Sequence, residues 1–257
     1  MKCAFCKNEA NTGEHLWDDW INQELPKKAR FDSMKRLSLD SKPIEFVSVG
    51  LHEKLRVVCE KCNSGWMSGL TARVKERFSE TVINGAPFSL SPRDAALLAS
   101  FTFMKAAVKD YCYRSKPFFT VDARKKLRLS HTIPPLARFW FAAFQGTSRY
   151  SFKSNFNLID ADSPGPLFGM EFFCYTYIFG QLVLQLLAPR WKDIRDWPRP
   201  LVVLDPHTYW QQGAVKFWPY PGELHWPPEK YLGDSVIEQF IYRFNAPVNV
   251  PVSFPVF

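Results

Sequence analysis

From Trp66 onward apolar residues recur at every fourth position. Trp66, Leu70, Val74, Phe78 and Val82 form one stripe of a helix. Asn84-Gly85 followed by Pro87 ends that helix. A second helix begins at Ser91-Pro92, with serine as N-cap and proline at the first helical position. It carries Ala95, Leu97, Leu98, Phe101 and Met104 towards Tyr113. A short helix is expected over residues 122–129. Upstream, Leu16, Trp17, Trp20 and Ile21 have amphipathic helical spacing, which puts Asp18 and Asp19 on the wet face. From Arg138 the texture changes to strands, with candidates at residues 138–144, 150–159, 168–179, 181–187, 201–204 and 214–218. A closing helix follows over 234–244. Residues 247–257 alternate apolar residues with proline and read as an extended arm.

Residues 172–189 run for 18 positions without a charge, close to the length that crosses a bilayer. Gly180 and Gln181 interrupt the run in its middle, and Thr176 and Gln185 are polar. Its Tyr, Phe, Val and Thr content favours two strands with a turn near Phe179-Gly180, so no membrane partner is expected. With 257 residues, 46% of them apolar, the chain can bury a sizeable core, which excludes disordered and low-complexity classes. All of the net charge of +8 lies in residues 1–130, and the remainder is balanced. A basic half suggests a polyanionic partner, nucleic acid above all, although solubility alone is the plain alternative. The N-terminus has no apolar leader segment, so a cytoplasmic protein is expected.

In that compartment paired cysteines read as metal ligands before disulfides. Cys3-Ala-Phe-Cys6 and Cys59-Glu-Lys-Cys62 are two knuckles of matching spacing. Each holds two thiolates to one side of an ion, and together they complete a tetrahedron for structural Zn²⁺. Cys112 and Cys174 stand in apolar surroundings and read as core residues. His131, His207 and His225 adjoin turns or prolines and read as structural. There is no Walker loop, dinucleotide fingerprint or GxSxG.

Gly13-Glu14-His15 lies between the knuckles, and Asn63 follows the last cysteine directly. This pattern resembles the HNH endonucleases of the ββα-metal superfamily, in the subgroup held by four cysteines. The phrase from Leu55 to Ser68, with Glu14-His15 upstream, is also similar to a group of bacterial HNH proteins. That likeness continues in Leu90-Ser91-Pro92, in residues 181–185 and in Trp226-Pro227-Pro228. The resemblance implies that His15 ends a first strand, that residues 54–58 form a second, and that Asn63 opens a helix. It assigns His15 as general base and Glu14 and Asn63 as ligands of a catalytic Mg²⁺ or Mn²⁺. The chemistry of the residues agrees. Imidazole titrates in the range a base needs, and carboxylate and amide oxygens suit hard cations. Gly13 lets the strand twist, so that neighbouring side chains can do different work.

Three positions depart from the family pattern. Lys54 stands where many relatives carry an asparagine that braces the base, with His52 nearby as a substitute. Trp66 and Met67 stand where relatives carry a phosphate-binding Lys or His. The acidic residue is Glu14 where Asp is usual. Lys27, Lys28, Arg30, Lys54, Arg73 and Arg77 are the candidate nucleic-acid contacts, with Lys35 and Arg36 extending the basic run. The expected fold is α+β: a zinc-held HNH finger over residues 1–85, then helices and an antiparallel β-rich domain over 86–257. The expected function is metal-dependent hydrolysis of phosphodiester bonds, with DNA as substrate. One alternative is a zinc-organised nucleic-acid-binding module without cleavage. Another is a phage-defence effector whose second part dimerises or answers to an activating ligand.

Overall fold

In a computed structural model, which describes residues 1–24, 30–35, 44–49, 51–113, 117–146, 152–160, 170–191 and 213–242, helix and sheet are mixed along the chain. Strand β1 (Thr12–His15) pairs antiparallel with β4 (Lys54–Val58). The register slips at Gly13: Thr12 faces Val58, whereas Glu14 faces Leu55. A Cβ at Gly13 would stand 3.2 Å from the Cβ of Lys54, so the bulge is tightest where glycine sits. Between these strands lie α1 (Asp19–Glu24) and a hairpin of β2 (Arg30–Lys35) and β3 (Ile44–Val49). After β4 come a short turn α2 (Glu60–Cys62), a π-type turn (Asn63–Met67) kinked at Gly65, and α3 (Ser68–Asn84). The expected stripe is buried at Leu70, Val74, Phe78 and Val82.

Strand β5 (Phe88–Leu90) leads into α4 (Pro92–Tyr113). Ser91 Oγ accepts from the Asp94 amide at 3.1 Å and Asp94 Oδ2 from the Ser91 amide at 3.3 Å, a reciprocal cap. Helix α5 (Val121–Ser130) is capped by Thr120, whose Oγ1 accepts from the Ala123 amide, and ends at His131 with φ 53°. The turn before α5 is held by Asp110, whose two carboxylate oxygens accept from the amides of Phe118 (2.9 Å) and Phe119 (3.0 Å).

The chain groups into two units: Met1–Ser79 with Phe103–Ile133, and Glu80–Thr102 with Pro134–Phe257. A single cut at residue 85 therefore differs from this grouping in one large piece. Residues 103–133 return to the N-terminal segment because Lys105 and Arg124 reach its backbone from α4 and α5.

The second unit is built on a six-stranded sheet. Its order is β10 (Ala214–Trp218), β6 (Arg138–Phe144), β9 (Leu182–Trp191), β8 (Met170–Phe179) and β7 (Phe152–Asp160), all antiparallel. Strand β12 (Tyr231–Leu232) pairs parallel with β6, and β11 (Leu224–Trp226) pairs with β5. Both faces of the sheet are covered. On one, Ala142, Ile178 and Val183 pack with Ile237, Phe240 and Ile241 of α6 (Asp234–Tyr242). On the other, Phe101 of α4 meets Tyr177 and Phe179, and Phe141 stacks on Phe217.

Strands buried on both sides read as unbroken apolar runs, which explains the uncharged stretch as the β8–β9 hairpin. Its turn needs glycine. Gly180 has φ +61°, and a Cβ there would collide with the Val82 carbonyl that accepts from the Gln181 amide. No helix among the described residues is long and apolar enough to cross a membrane. Residues 201–204, 207 and 247–257 lie outside the described residues, as does the side chain of Cys112.

Candidate functional site

The two knuckles meet. Cys3 and Cys6 lie on the loop before β1, Cys59 precedes α2 and Cys62 ends it, so pairing of β1 with β4 brings them together. All four Sγ atoms lie within 4.8 Å of one another, with Cys6 3.5 Å from Cys59 and 3.7 Å from Cys62. Zn–S bonds of ~2.3 Å in a tetrahedron set an S···S edge of about 3.8 Å, so the cluster is compatible with structural zinc. Donation from Cys62 holds the Cys3 thiol down at about 4, while Cys62, giving that hydrogen and buried, is pushed up. The amide of Phe5 donates to Cys3 and the Asn8 side chain to Cys59, as thiolates favour. From α5, Arg124 Nε donates to the carbonyl of Ala4 inside the first knuckle at 2.6 Å, and its Nη1 donates to Phe119.

Beside this cluster lies a cavity of about 460 Å³, lined by Thr12, Glu14, His15, Asp18, Asp19, Trp20, Glu60, Asn63, Ser64, Ser68 and Thr71. It joins the three residues singled out in the sequence. The Asn63 amide nitrogen donates to the Gly13 carbonyl at 3.1 Å and lies 3.4 Å from Thr12 Oγ1. That use of its nitrogen leaves Oδ1 as the atom that could take a cation. Glu14 is buried, and its Oε1 accepts from Lys105 at 2.7 Å, which leaves Oε2. His15 Nε2 lies 3.1 Å from Asp19 Oδ1, so the neutral tautomer with hydrogen on Nε2 keeps a lone pair on Nδ1. Burial lowers the His15 pKa, Asp19 opposes this, and the nearby Lys54 and Lys105 add to it.

A scan of protein-family models, a search of curated proteins and a search of solved structures each find no match for this chain.

The end of β1 at His15 and the span of β4 are where the pattern puts them. The helical run after β4 begins at Glu60, three residues before Asn63, and Asn63 opens the π-type turn within it. Asp18 is a correction. Helix α1 starts only at Asp19, so Asp18 precedes it and is buried, with Oδ1 accepting from Lys105 at 2.8 Å. Burial pushes its carboxyl up, Lys105 opposes this and Glu14 adds to it. Asp19 is exposed, as a wet-face residue should be, but it also holds His15. The residue beside His15 is thus Asp19, and His52 is exposed. Trp66 turns its ring edge to Phe5 at 5.0 Å.

Among the basic candidates, Arg73 and Arg77 lie on α3 and Lys54 is exposed at the start of β4. The Arg77 guanidinium lies over the Phe78 ring. Arg30 and Lys35 fall in β2, whereas Lys27, Lys28 and Arg36 lie outside the described residues. Sequence reasoning missed Lys105. Its signal was a charge inside a helix that is apolar all round, from Phe101 to Val108.

Proposed function

We propose that this chain is a metal-dependent endonuclease of the HNH kind, hydrolysing phosphodiester bonds with DNA as the expected substrate. The observation that carries this reading is the convergence of Glu14, His15 and Asn63 on one cavity. The described lining also includes the carboxylates of Asp18, Asp19 and Glu60, so a cation would favour the entry of a phosphate. A bound Mg²⁺ or Mn²⁺ would neutralise the scissile phosphate and the departing 3′ oxygen. Glu14 Oε2 and Asn63 Oδ1 are the oxygens that would hold it. His15, whose partial burial lowers its pKa, takes the proton of the attacking water at Nδ1 while its Nε2–H stays hydrogen-bonded to Asp19. The four cysteines would hold one structural Zn²⁺, fixing β1 against the start of the helical run. Arg73, Arg77 and Lys54 supply phosphate contacts, and the second unit is the place for a second copy or an activating ligand.

A second reading is the zinc-organised binding module without cleavage. It is favoured by Lys105, which already gives the Glu14 and Asp18 carboxylates a built-in counter-ion. Incubation of supercoiled plasmid with the zinc-loaded protein separates the two. The nuclease reading expects nicked or linear product with Mg²⁺ or Mn²⁺ and none with a chelator. Retarded but intact plasmid under every divalent ion favours the binding module.

A further inference from the structure

Lys105 is fully buried in α4, among Phe103, Met104, Ala106, Ala107 and Val108, which are equally buried. Its ammonium has three hydrogens to place. The Glu14 Oε1 lies at 2.7 Å, the His15 carbonyl at 2.7 Å and Asp18 Oδ1 at 2.8 Å. All three acceptors belong to one five-residue segment, some ninety residues away in sequence. Burial disfavours the charged lysine, but the Asp18 and Glu14 carboxylates more than offset it, so it stays an ammonium. A buried ion pair is a poor source of stability, since apolar residues of similar volume do as well or better. What an ammonium supplies that a hydrocarbon cannot is direction.

Direction is what the end of β1 lacks. Successive strand residues point to opposite faces, yet Glu14 and His15 both line the cavity. The bulge at Gly13 loosens the pairing with β4 just before them. We propose that Lys105 is a positioning residue for this pair: one ammonium, held by an apolar helix, ties the Glu14 carboxylate and the His15 carbonyl together and so sets how both side chains enter the cavity. The tie to Oε1 turns Oε2 to its task. The tie to the carbonyl fixes the backbone from which the imidazole projects. Asp18 completes the knot and balances charge. Lys105 is not among the lining residues, so it acts through the pair and not on substrate. This role rests on the nuclease reading for its consequence but not for its geometry.

The test uses the full chain. Lys105→Met alone leaves two buried carboxylates without a counter-ion and can fail to fold. The double variant Lys105→Met with Asp18→Asn keeps the net charge of the knot and removes the ties. Lys105→Arg keeps donors at the position. Hydrogen exchange of residues 12–16, zinc content, and cleavage kinetics are read together. The double variant is expected to retain zinc and to exchange about tenfold faster at Glu14 to Leu16, with β6 and β9 unchanged. Its kcat should fall about 10²-fold with KM held within about threefold, and Lys105→Arg should restore most of it. Unchanged exchange and unchanged kcat overturn the proposal. So does loss of zinc and protection throughout the first unit, for Lys105 would then be core support only. If the wild type cleaves nothing, the nuclease reading fails on its own. Exchange at residues 14–16 then decides Lys105: a local rise upholds the tie and no rise removes it.

Discussion

The two units bury different things. Every buried charged side chain among the described residues lies in the first: Glu14, Asp18, Lys105, Lys109, Asp110 and Arg124. The second buries neutral polar groups, such as Gln185, whose Nε2 donates to Thr176 at 2.7 Å and to the Phe240 carbonyl at 3.1 Å. Around them it packs aromatic rings, including Phe139, Phe141, Phe173 and Tyr177. Buried charges cost free energy unless they are paired, and they persist where geometry matters more than stability. The second unit is held as an oil-filled sheet is held. The first is held by directed contacts around a cysteine cluster and a polar cavity, which is where chemistry is expected.

Removing a cysteine should break that comparison most sharply. Cys59→Ser should lose the zinc, about one ion per chain by elemental analysis, and with it the protection of β1 and β4 amides from exchange. Structural zinc contributes on the order of 10 kcal/mol to small domains. The β6–β9 pairing should stay protected. Full zinc occupancy in the mutant would sink the assignment.

Truncation in the second unit should do the converse. Phe141→Ala removes a fully buried ring that stacks on Phe217 at 5.8 Å between centroids. The expected cost is about 3–5 kcal/mol, read as a fall in denaturant midpoint, with zinc content unchanged. A loss below about 1 kcal/mol would mean that the aromatic packing is not what holds the sheet.

Arg73→Ala and Arg77→Ala sharpen the charge side. Each should weaken DNA binding several-fold and reduce the slope of log affinity against log salt by about one. An unchanged slope removes them from the interface.

The smallest effect concerns pH. The folded pKa of His15 lies below its ordinary value of 6.5. As pH falls through that value the unfolded chain protonates first. The stability supplied by neutral His15 is therefore complete above about pH 6.5 and is lost as pH drops towards the folded pKa. The acid limb of the cleavage rate should accordingly lie below pH 6.5. Asp19→Asn removes an influence that raises this pKa and should move the limb further to acid. A limb above pH 6.5 would contradict a half-buried His15 acting as the neutral base.

Much of this was legible in the chain because it is written locally. Helix α4 starts at a proline after a serine cap, and β6 begins and ends with its apolar run, whereas the bounds of β4 came from the family pattern. The cysteine cluster was legible because two short spacings need only one strand pairing to meet. Lys105 and Arg124 were not. Their partners lie 91 and 120 positions away, and a lysine or an arginine on a helix looks the same in sequence whether it meets water or a buried carboxylate. Asp18 was misplaced for a related reason. The apolar spacing of Leu16, Trp17, Trp20 and Ile21 is met by a short helix plus a buried lead-in, so the face assigned by helical periodicity does not exist at Asp18.

On the proposed reading, the cavity of the first unit cleaves phosphodiester bonds with His15 as base. Single-turnover cleavage of a labelled duplex, with Mn²⁺ and zinc-loaded protein, tests it most directly when wild type and His15→Ala are compared at equal DNA occupancy. The variant should cleave about 10²–10⁴-fold more slowly, with zinc content and DNA affinity near wild type. Cleavage by His15→Ala at the wild-type rate would contradict that reading and place any activity outside this cavity.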